Sequence, residues 1–112
     1  VSGGSVYFAG GGGGGGYYPA PAASGCLGGG ANSSAQNGTP PAGSPNTGGG
    51  GGGRNNHNNG GAGATGGSGI VILKIATANF SDTYTGSSVV KDTTSVSGYT
   101  ILIFKDSGSY TV

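Results

Sequence analysis

The sequence predicts an all-β protein with polyglycine II helices: a small β-sandwich or hairpin layer, stacked glycine-rich helices and irregular loops, with no α-helix. Three observations predict it. Glycine supplies 25 of residues 10–69, where Leu27 is the only Val, Ile, Leu or Phe residue. Two apolar, β-branched stretches follow, at 70–75 and 99–105. No stretch shows the 3.6-residue apolar period of an amphipathic helix.

The glycine runs at 10–16 and 48–53 have two interpretations. Their composition is typical of a disordered linker. Alternatively, the bare backbone is itself the packing material, because extended threefold helices without Cβ atoms can approach closely and satisfy one another's peptide groups. The chain has only eighteen Val, Ile, Leu and Phe residues, so a side-chain core alone cannot offset the entropy of ordering it. An ordered chain therefore needs dense main-chain hydrogen bonding and contacts with other copies.

The first half of the chain contains one predicted strand and two polar loops. Residues 1–9 are predicted to form a short strand packed through Val6, Tyr7 and Phe8, which leads directly into the first glycine run. Residues 17–47 are predicted to be a loop rich in Pro, Ala, Ser, Asn and Gly. Residues 54–59 lie between two glycine stretches, which is typical of a loop tip.

The second half contains the strongest strand signals. Residues 70–75 are predicted to be a strand buried on both faces except near Lys74, and 99–105 to be the next strand. Residues 106–108 fit a three-residue hairpin turn with Gly108 left-handed, so 109–112 would return antiparallel. We thus expect three parts: a glycine-rich module (1–75), a Ser/Thr-rich connector (76–98) with weak strand character at 88–90, and a terminal hairpin (99–112) that completes a neighbouring repeat or subunit.

Charge and residue types argue against several functions. A net charge of +1 with 6% charged residues gives no electrostatic footprint for nucleic acid or a membrane surface, and no apolar run is long enough to span a membrane. The single cysteine excludes an internal disulfide. A Cys26/His57 nucleophile pair is the only catalytic arrangement available, and it is weak. We expect no enzymatic activity, no cofactor and no metal site.

Two kinds of contact site are predicted. Polar and aromatic loop residues could bind sugar hydroxyls or a polar protein surface; these partner-contact candidates are Tyr17, Tyr18, Arg54, Asn55, Asn56 and His57. Long apolar strands with little charge would pair with another copy if their edges were unpaired. The self-assembly candidates are Val6, Phe8, Ile70, Ile72, Tyr99, Ile101, Ile103 and Tyr110.

Three stretches carry a family resemblance: VYFAGGGGGGG at 6–16, GGSGIVILKI at 66–75 and GYTILIFKDSGSYTV at 98–112. They resemble the glycine-rich domain of bacteriophage tail-fibre and other tail proteins, including T-even-like receptor-binding adhesins, in which polyglycine II helices stack and end loops contact the host. In that family the hairpin precedes the strand that enters polyglycine, whereas here it comes last. Reading Val112 onward into Val1 restores the order, as in tandem repeats or neighbouring subunits.

The resemblance implies a non-enzymatic structural or adhesive module of an extracellular or virion fibre, located at the virion surface or outside the cell. Its partners would be other copies of the chain and a host-surface glycan or protein. The alternative function is a subunit of a self-assembling extracellular filament, joined head to tail through its terminal strands.

Overall fold

The computed structural model describes residues 5–17, 19–55 and 61–112. The chain divides into two compact units between residues 69 and 70. The first is the glycine-rich unit, and the second, here called the C-terminal unit, contains every strand of the described residues. The described residues contain no α-helix, so the all-β prediction is confirmed for them.

The glycine-rich unit consists of extended segments whose hydrogen bonds repeat every three residues. We define them as g1 (9–16), g2 (20–26), g3 (28–34), g4 (40–44), g5 (48–55) and g6 (61–68). Segments g1, g3 and g5 run parallel and are bonded pairwise: Gly10 N to Gly28 O, Gly13 N to Ala31 O, Gly50 N to Gly10 O, Gly53 N to Gly13 O, Ala31 N to Gly50 O and Ser34 N to Gly53 O. Three residues is the period of a polyproline II helix, the conformation predicted for the glycine runs.

The other three segments run in the opposite direction. Gly52 O and Gly49 O of g5 accept hydrogen bonds from Ala64 N and Gly67 N of g6, at 2.9 and 2.7 Å. Segment g2 bonds to g1 and g3, through Cys26 N to Gly11 O and Ser33 N to Ala23 O, and g4 bonds to g5 through Gly52 N to Pro41 O. Segment g5 thus has neighbours on four sides. Residues 17–47, predicted as irregular loop, supply g2, g3 and g4.

Absence of Cβ atoms is what permits this packing. A Cβ added at Gly52 would lie within 3.0 Å of the Asn32 carbonyl, and one added at Gly12 would meet the Gly51 carbonyl equally closely. Turns reverse the chain between segments, and two of them place Asn37 and Asn46 at positive φ (54° and 58°), a conformation that asparagine tolerates better than most residues.

The C-terminal unit contains five strands. A three-stranded antiparallel sheet has the order β1–β4–β3, and β2 pairs antiparallel with β5 in a second sheet. The strands are β1 (Val71–Ala76), β2 (Tyr84–Gly86), β3 (Val89–Asp92), β4 (Tyr99–Phe104) and β5 (Gly108–Tyr110), and a 3-10 turn (Thr77–Asn79) follows β1.

The core of the C-terminal unit is the central strand β4. Leu102 is completely buried, and Thr100, Ile101 and Phe104 are also buried. Both edges of the strand are paired, one with β1 and the other with β3, so that Leu102 lies opposite Leu73 on one side and Lys91 on the other. Tyr110 of β5 stacks on Phe80, with ring centroids 5.6 Å apart.

Several local predictions are wrong. Residues 5–9 form no strand, and Val6, Tyr7 and Phe8 are exposed; residues 1–4 lie outside the described part. Strand β1 is not buried on both faces, because Val71 and Ile72 are both exposed and successive residues of a strand point to opposite faces.

The prediction of a terminal hairpin at 99–112 is also wrong. Strand β5 pairs with β2 and not with β4, in the register Tyr84–Tyr110, Thr85–Ser109 and Gly86–Gly108. Gly108 does not have a positive φ, whereas Gly86 and Gly98 do. The connector predicted at 76–98 contributes β2 and β3.

Candidate contact surface at one end of the glycine-rich unit

The ends of g1, g3 and g5 and the beginnings of g2, g4 and g6 lie at the same end of the glycine-rich unit, because consecutive segments alternate in direction. Three connections join them, g1–g2, g3–g4 and g5–g6, and residues 56–60 of the last lie outside the described residues. The first two turn tightly, with Ala20 N donating to Tyr17 O at 2.8 Å and Gly38 N donating to Ala35 O at 2.9 Å. Both predicted loop tips, near Tyr17 and near Arg54, therefore belong to one end.

Asn55 ties these connections together. Its side chain is only 3% exposed; its Oδ1 accepts a hydrogen bond from Gly16 N at 2.6 Å, and its Nδ2 donates to Ala20 O at 3.4 Å. Its main-chain N–H donates to Ser34 Oγ at 3.0 Å, and its carbonyl accepts from Asn37 N at 2.9 Å. The structure corrects our assignment of Asn55 as a contact residue, since both ends of its amide are used inside the unit.

Arg54 lies beside this junction and is half-buried. Its Nη2 donates to Asn37 O at 3.5 Å, while its buried Nε has no hydrogen-bond partner among the described residues. A Cβ added at Gly61 would meet the Arg54 guanidinium, so the side chain lies against g6. The guanidinium therefore lies between Asn37 of the g3–g4 connection and Gly61 of g6, and its further N–H groups are potential donors.

Tyr17 presents the exposed aromatic group of this end. Its side chain is 70% exposed. Tyr18, Asn56 and His57, also predicted as contact residues, lie outside the described residues. The g3–g4 connection, which contains Asn37 and Gly38, was missed as a contact region. Its signal was the Asn-Gly dipeptide, which marks a turn.

The self-assembly candidates fall into three environments. Val6 and Phe8 are exposed outside any strand, and Ile70 immediately precedes β1. Ile72 is 46% exposed on edge strand β1. Tyr99, Ile101 and Ile103 lie on β4, whose two edges are already paired within the chain, so the condition under which we expected this strand to pair with another copy is not met. Tyr110 is half-buried against Phe80.

The C-terminal unit contains a cavity of about 280 Å³ lined by Val71, Leu73, Phe104 and residues 106–110. Asp106 borders it; hydrogen bonds from Ser107 N–H and Ser87 Oγ hold the pKa of its carboxyl below the usual range. Asp92 is the last residue of β3, and hydrogen-bond donors from Ser95 and Thr94 lower its pKa strongly. These hydrogen bonds close surface turns and bring no second titratable group to either carboxylate.

The described residues contain no cluster of three or more His, Cys, Asp or Glu side chains suited to a metal ion. Across the same part of the chain, none of the helices has the length and apolar character that crossing a membrane requires.

Comparison with known families agrees with the main-chain packing of the first unit. A family model described as a glycine-rich domain matches residues 1–76. The chain belongs to the glycine-rich domain family. The match extends through β1, the last residue of which is Ala76, so it covers the first strand of the C-terminal unit as well as the glycine-rich unit. A search of curated proteins found no match, and neither did a search of solved structures.

Proposed function

We propose that this glycine-rich domain is a non-enzymatic structural and adhesive module of an extracellular or virion fibre. The observation that carries the proposal is the convergence of three connections at one end of a hydrogen-bonded scaffold, held together by buried Asn55. Loops fixed by a rigid scaffold are a common way to build a binding surface. Resemblance to phage tail-fibre domains supports the virion setting.

The chemistry of this end suits a host-surface glycan or a polar protein surface. Tyr17 offers an exposed ring on which a sugar face can stack, and Arg54 offers guanidinium donors to hydroxyl or carboxylate oxygens. The scaffold beneath carries no charged side chain before Arg54. Recognition would therefore depend on a few polar and aromatic groups and not on a broad electrostatic field.

A binding assay on intact bacteria tests this function. The labelled full chain is added to a panel of strains, with and without periodate oxidation of their surface sugars. We expect binding to at least one strain, and the Tyr17→Ala/Arg54→Ala double variant to bind at least about tenfold more weakly. Loss of binding after periodate would identify a glycan, and retention a protein.

Tyr7→Ala is the matched control, because Tyr7 is also an exposed tyrosine but precedes g1, at the opposite end of that segment. Its binding should equal that of the unchanged chain. The proposal fails if no strain is bound, or if the double variant, shown to be folded by its NMR spectrum, binds as well as the control.

A filament subunit is the second candidate function. It is favoured by β1, which is an edge strand among the described residues and exposes Val71 and Ile72. Apolar edge strands pair readily with another chain, and added charge opposes this. The lysine already on β1, Lys74, lies over the Tyr99 ring, with its Nζ 4.1 Å from the ring centroid. Head-to-tail joining through the terminal strands would then use β1 and not the central strand β4.

Ile72→Lys tests the filament. If the chain forms fibres visible by electron microscopy, this variant should abolish them, and Thr93→Lys, which places the same charge in an exposed loop, should leave them intact. Fibres that persist in Ile72→Lys would exclude β1 as the joining edge.

A further inference from the structure

The cavity of the C-terminal unit lies along the unpaired edge of β5. Its walls are residues 106–110, Val71 and Leu73 of β1, and Phe104 of β4, and no described residue of β2 lines it. Among the described strands, β5 pairs with β2 alone, so its other edge has no partner. Strand β5 also lies against β4, because a Cβ added at Gly108 would be within 3.0 Å of the Phe104 ring.

One face of β1 is left open at this cavity. Val71 and Leu73 are two residues apart and share a face of the strand, and Phe104, opposite Val71 in the register, lies on the same face. Phe104 is buried beneath β5, whereas Val71 remains 55% exposed. The sheet that contains β5 has two strands and the sheet that contains β1 has three. A strand added to β5 would therefore cover the open face of β1.

The pairing of β5 also determines which of its main-chain groups face the cavity. Thr111 N donates to Thr83 O at 3.0 Å, so Thr111 is directed toward the β2 side. Because direction alternates along an antiparallel strand, Gly108 and Tyr110 turn their N–H and C=O groups to the opposite side. These groups are the ones that an added strand bonds, and such an addition is a common mode of peptide recognition.

Residues 5–8 have the properties of such a strand. The side chains of Val6, Tyr7 and Phe8 are between 43% and 64% exposed. No main-chain group of residues 5–8 forms a hydrogen bond with another described residue. The segment contains no charged residue. In an extended chain Val6 and Phe8 share a face, with the same two-residue spacing as the β1 residues in the cavity wall.

We propose that residues 5–8 of a second copy of the chain bind in this cavity as a strand added to the free edge of β5. Val6 and Phe8 face the wall formed by β1. Tyr7 then lies on the outer side of the sheet, beside Ser109. Within a single copy the segment is exposed, so its burial requires the second copy, and association removes two apolar surfaces from water.

Sedimentation equilibrium of the full chain between about 1 μM and 1 mM tests the association. We expect the average mass to rise above that of one chain. Val6→Lys should weaken association at least about tenfold, because its charge would be buried against apolar walls. Leu27→Lys is the matched control, since Leu27 is also an exposed apolar residue and lies outside the segment.

Complementation separates the segment from the cavity. Val71→Lys places a charge in the cavity wall and leaves the segment intact, whereas Val6→Lys leaves the cavity intact. Each variant alone should be monomeric, and their equimolar mixture should form a pair. A mixture that stays monomeric would overturn the proposal. So would an unchanged chain that stays monomeric throughout, or a folded Val6→Lys chain that associates as tightly as Leu27→Lys.

Cross-linking tests the position of the added strand in a Cys26→Ser background, which removes the exposed native thiol. Neighbouring strands lie about 5 Å apart, within the limit of about 7 Å for the Cα atoms of a disulfide, so Tyr7→Cys and Ser109→Cys chains should cross-link when mixed. Thr85→Cys replaces Ser109→Cys in the control, because Thr85 pairs with Ser109 but lies one strand further from the cavity. Equal yields would contradict the proposal. Ile72→Lys, on the opposite face of β1 from the cavity, should leave the cross-link unchanged, which distinguishes this joint from the filament edge.

Discussion

The two units of this chain solve the same packing problem with opposite materials. In the C-terminal unit, the completely buried Leu102 and its neighbours on β4 fill the interior with side chains. In the glycine-rich unit, the interior positions Gly10, Gly13, Gly49 and Gly52 are buried main chain. The C-terminal unit loses stability when a side chain is removed, and the glycine-rich unit loses stability when one is added.

The largest effect is expected at Leu102. Leu102→Ala should lower the unfolding free energy of the C-terminal unit by about 2–5 kcal/mol, because it removes a fully buried side chain and leaves a void. Ile72→Ala, on edge strand β1, should cost about 1 kcal/mol or less. Urea titrations that follow the NMR signals of β4 measure both. Equal losses at the two positions would remove the distinction between core and edge.

The next effect sharpens the contrast by adding a methyl group. Gly52→Ala should destabilise the glycine-rich unit by about 1–3 kcal/mol, because the new Cβ would meet the Asn32 carbonyl. Gly14→Ala should be neutral or stabilise by about 0.5 kcal/mol, since its Cβ enters open space and alanine reduces the freedom of the unfolded chain. Urea titrations that follow the amides of g5 would measure the change in unfolding free energy for each variant. Similar tolerance at both sites would mean that g5 is not closely packed.

Asn55 should be the most sensitive side chain of the glycine-rich unit. Asn55→Ala removes the acceptor of Gly16 N from a buried site, with an expected loss of about 1–3 kcal/mol and faster exchange of the Gly16 amide. Asn32→Ala is the matched control, because Asn32 Oδ1 accepts from Gly25 N at an exposed site. If the two substitutions have the same effect, Asn55 does not hold the three connections together.

The smallest effect is expected from acid, and only in the C-terminal unit. Hydrogen bonds in the folded state lower the pKa of Asp92 and of Asp106. Their contribution is therefore present above the unfolded-state pKa of about 3.9 and is lost as pH falls through the lower folded values. The thermal unfolding temperature of the unchanged chain should fall below about pH 4. In the Asp92→Asn/Asp106→Asn variant, the unfolding temperature should depend less on pH. An unchanged acid dependence in that variant would assign the effect to other groups.

The sequence predicted what depends on local composition. The β4 strand follows from the run Tyr99–Lys105, and the threefold packing of the glycine runs follows from the lack of Cβ atoms. Extended polyproline II-like backbone was predicted at Pro40, Pro41 and Pro45, but the packing of g2 and g4 against the glycine segments was not, because Pro, Ala and Ser carry no visible period of three. They become extended packing elements only because the glycine segments beside them accept their main chain.

The errors arose where long-range pairing decides the outcome. A turn-like sequence at 106–108 suggested a local hairpin, but β5 pairs with β2, which is more than twenty residues away. Asn55 occurs in a polar run that is typical of a solvated tip, and only the convergence of g1, g3 and g5 buries it. The sequence therefore predicted only part of the candidate surface. Tyr17 and Arg54 could be selected from residue type, but their location at the same end of the unit could not be predicted.

The three-residue repeat also sets a rule for how this chain can change in length. An insertion of three glycines into residues 10–16 would add one full turn and return every later residue of g1 to its previous side. An insertion of one glycine would rotate those residues by a third of a turn, carrying the uncovered side of g1 toward g3 and g5 and breaking the bonds at Gly13 and Gly53. Length variation in such domains should thus occur in multiples of three, much as codons preserve a reading frame.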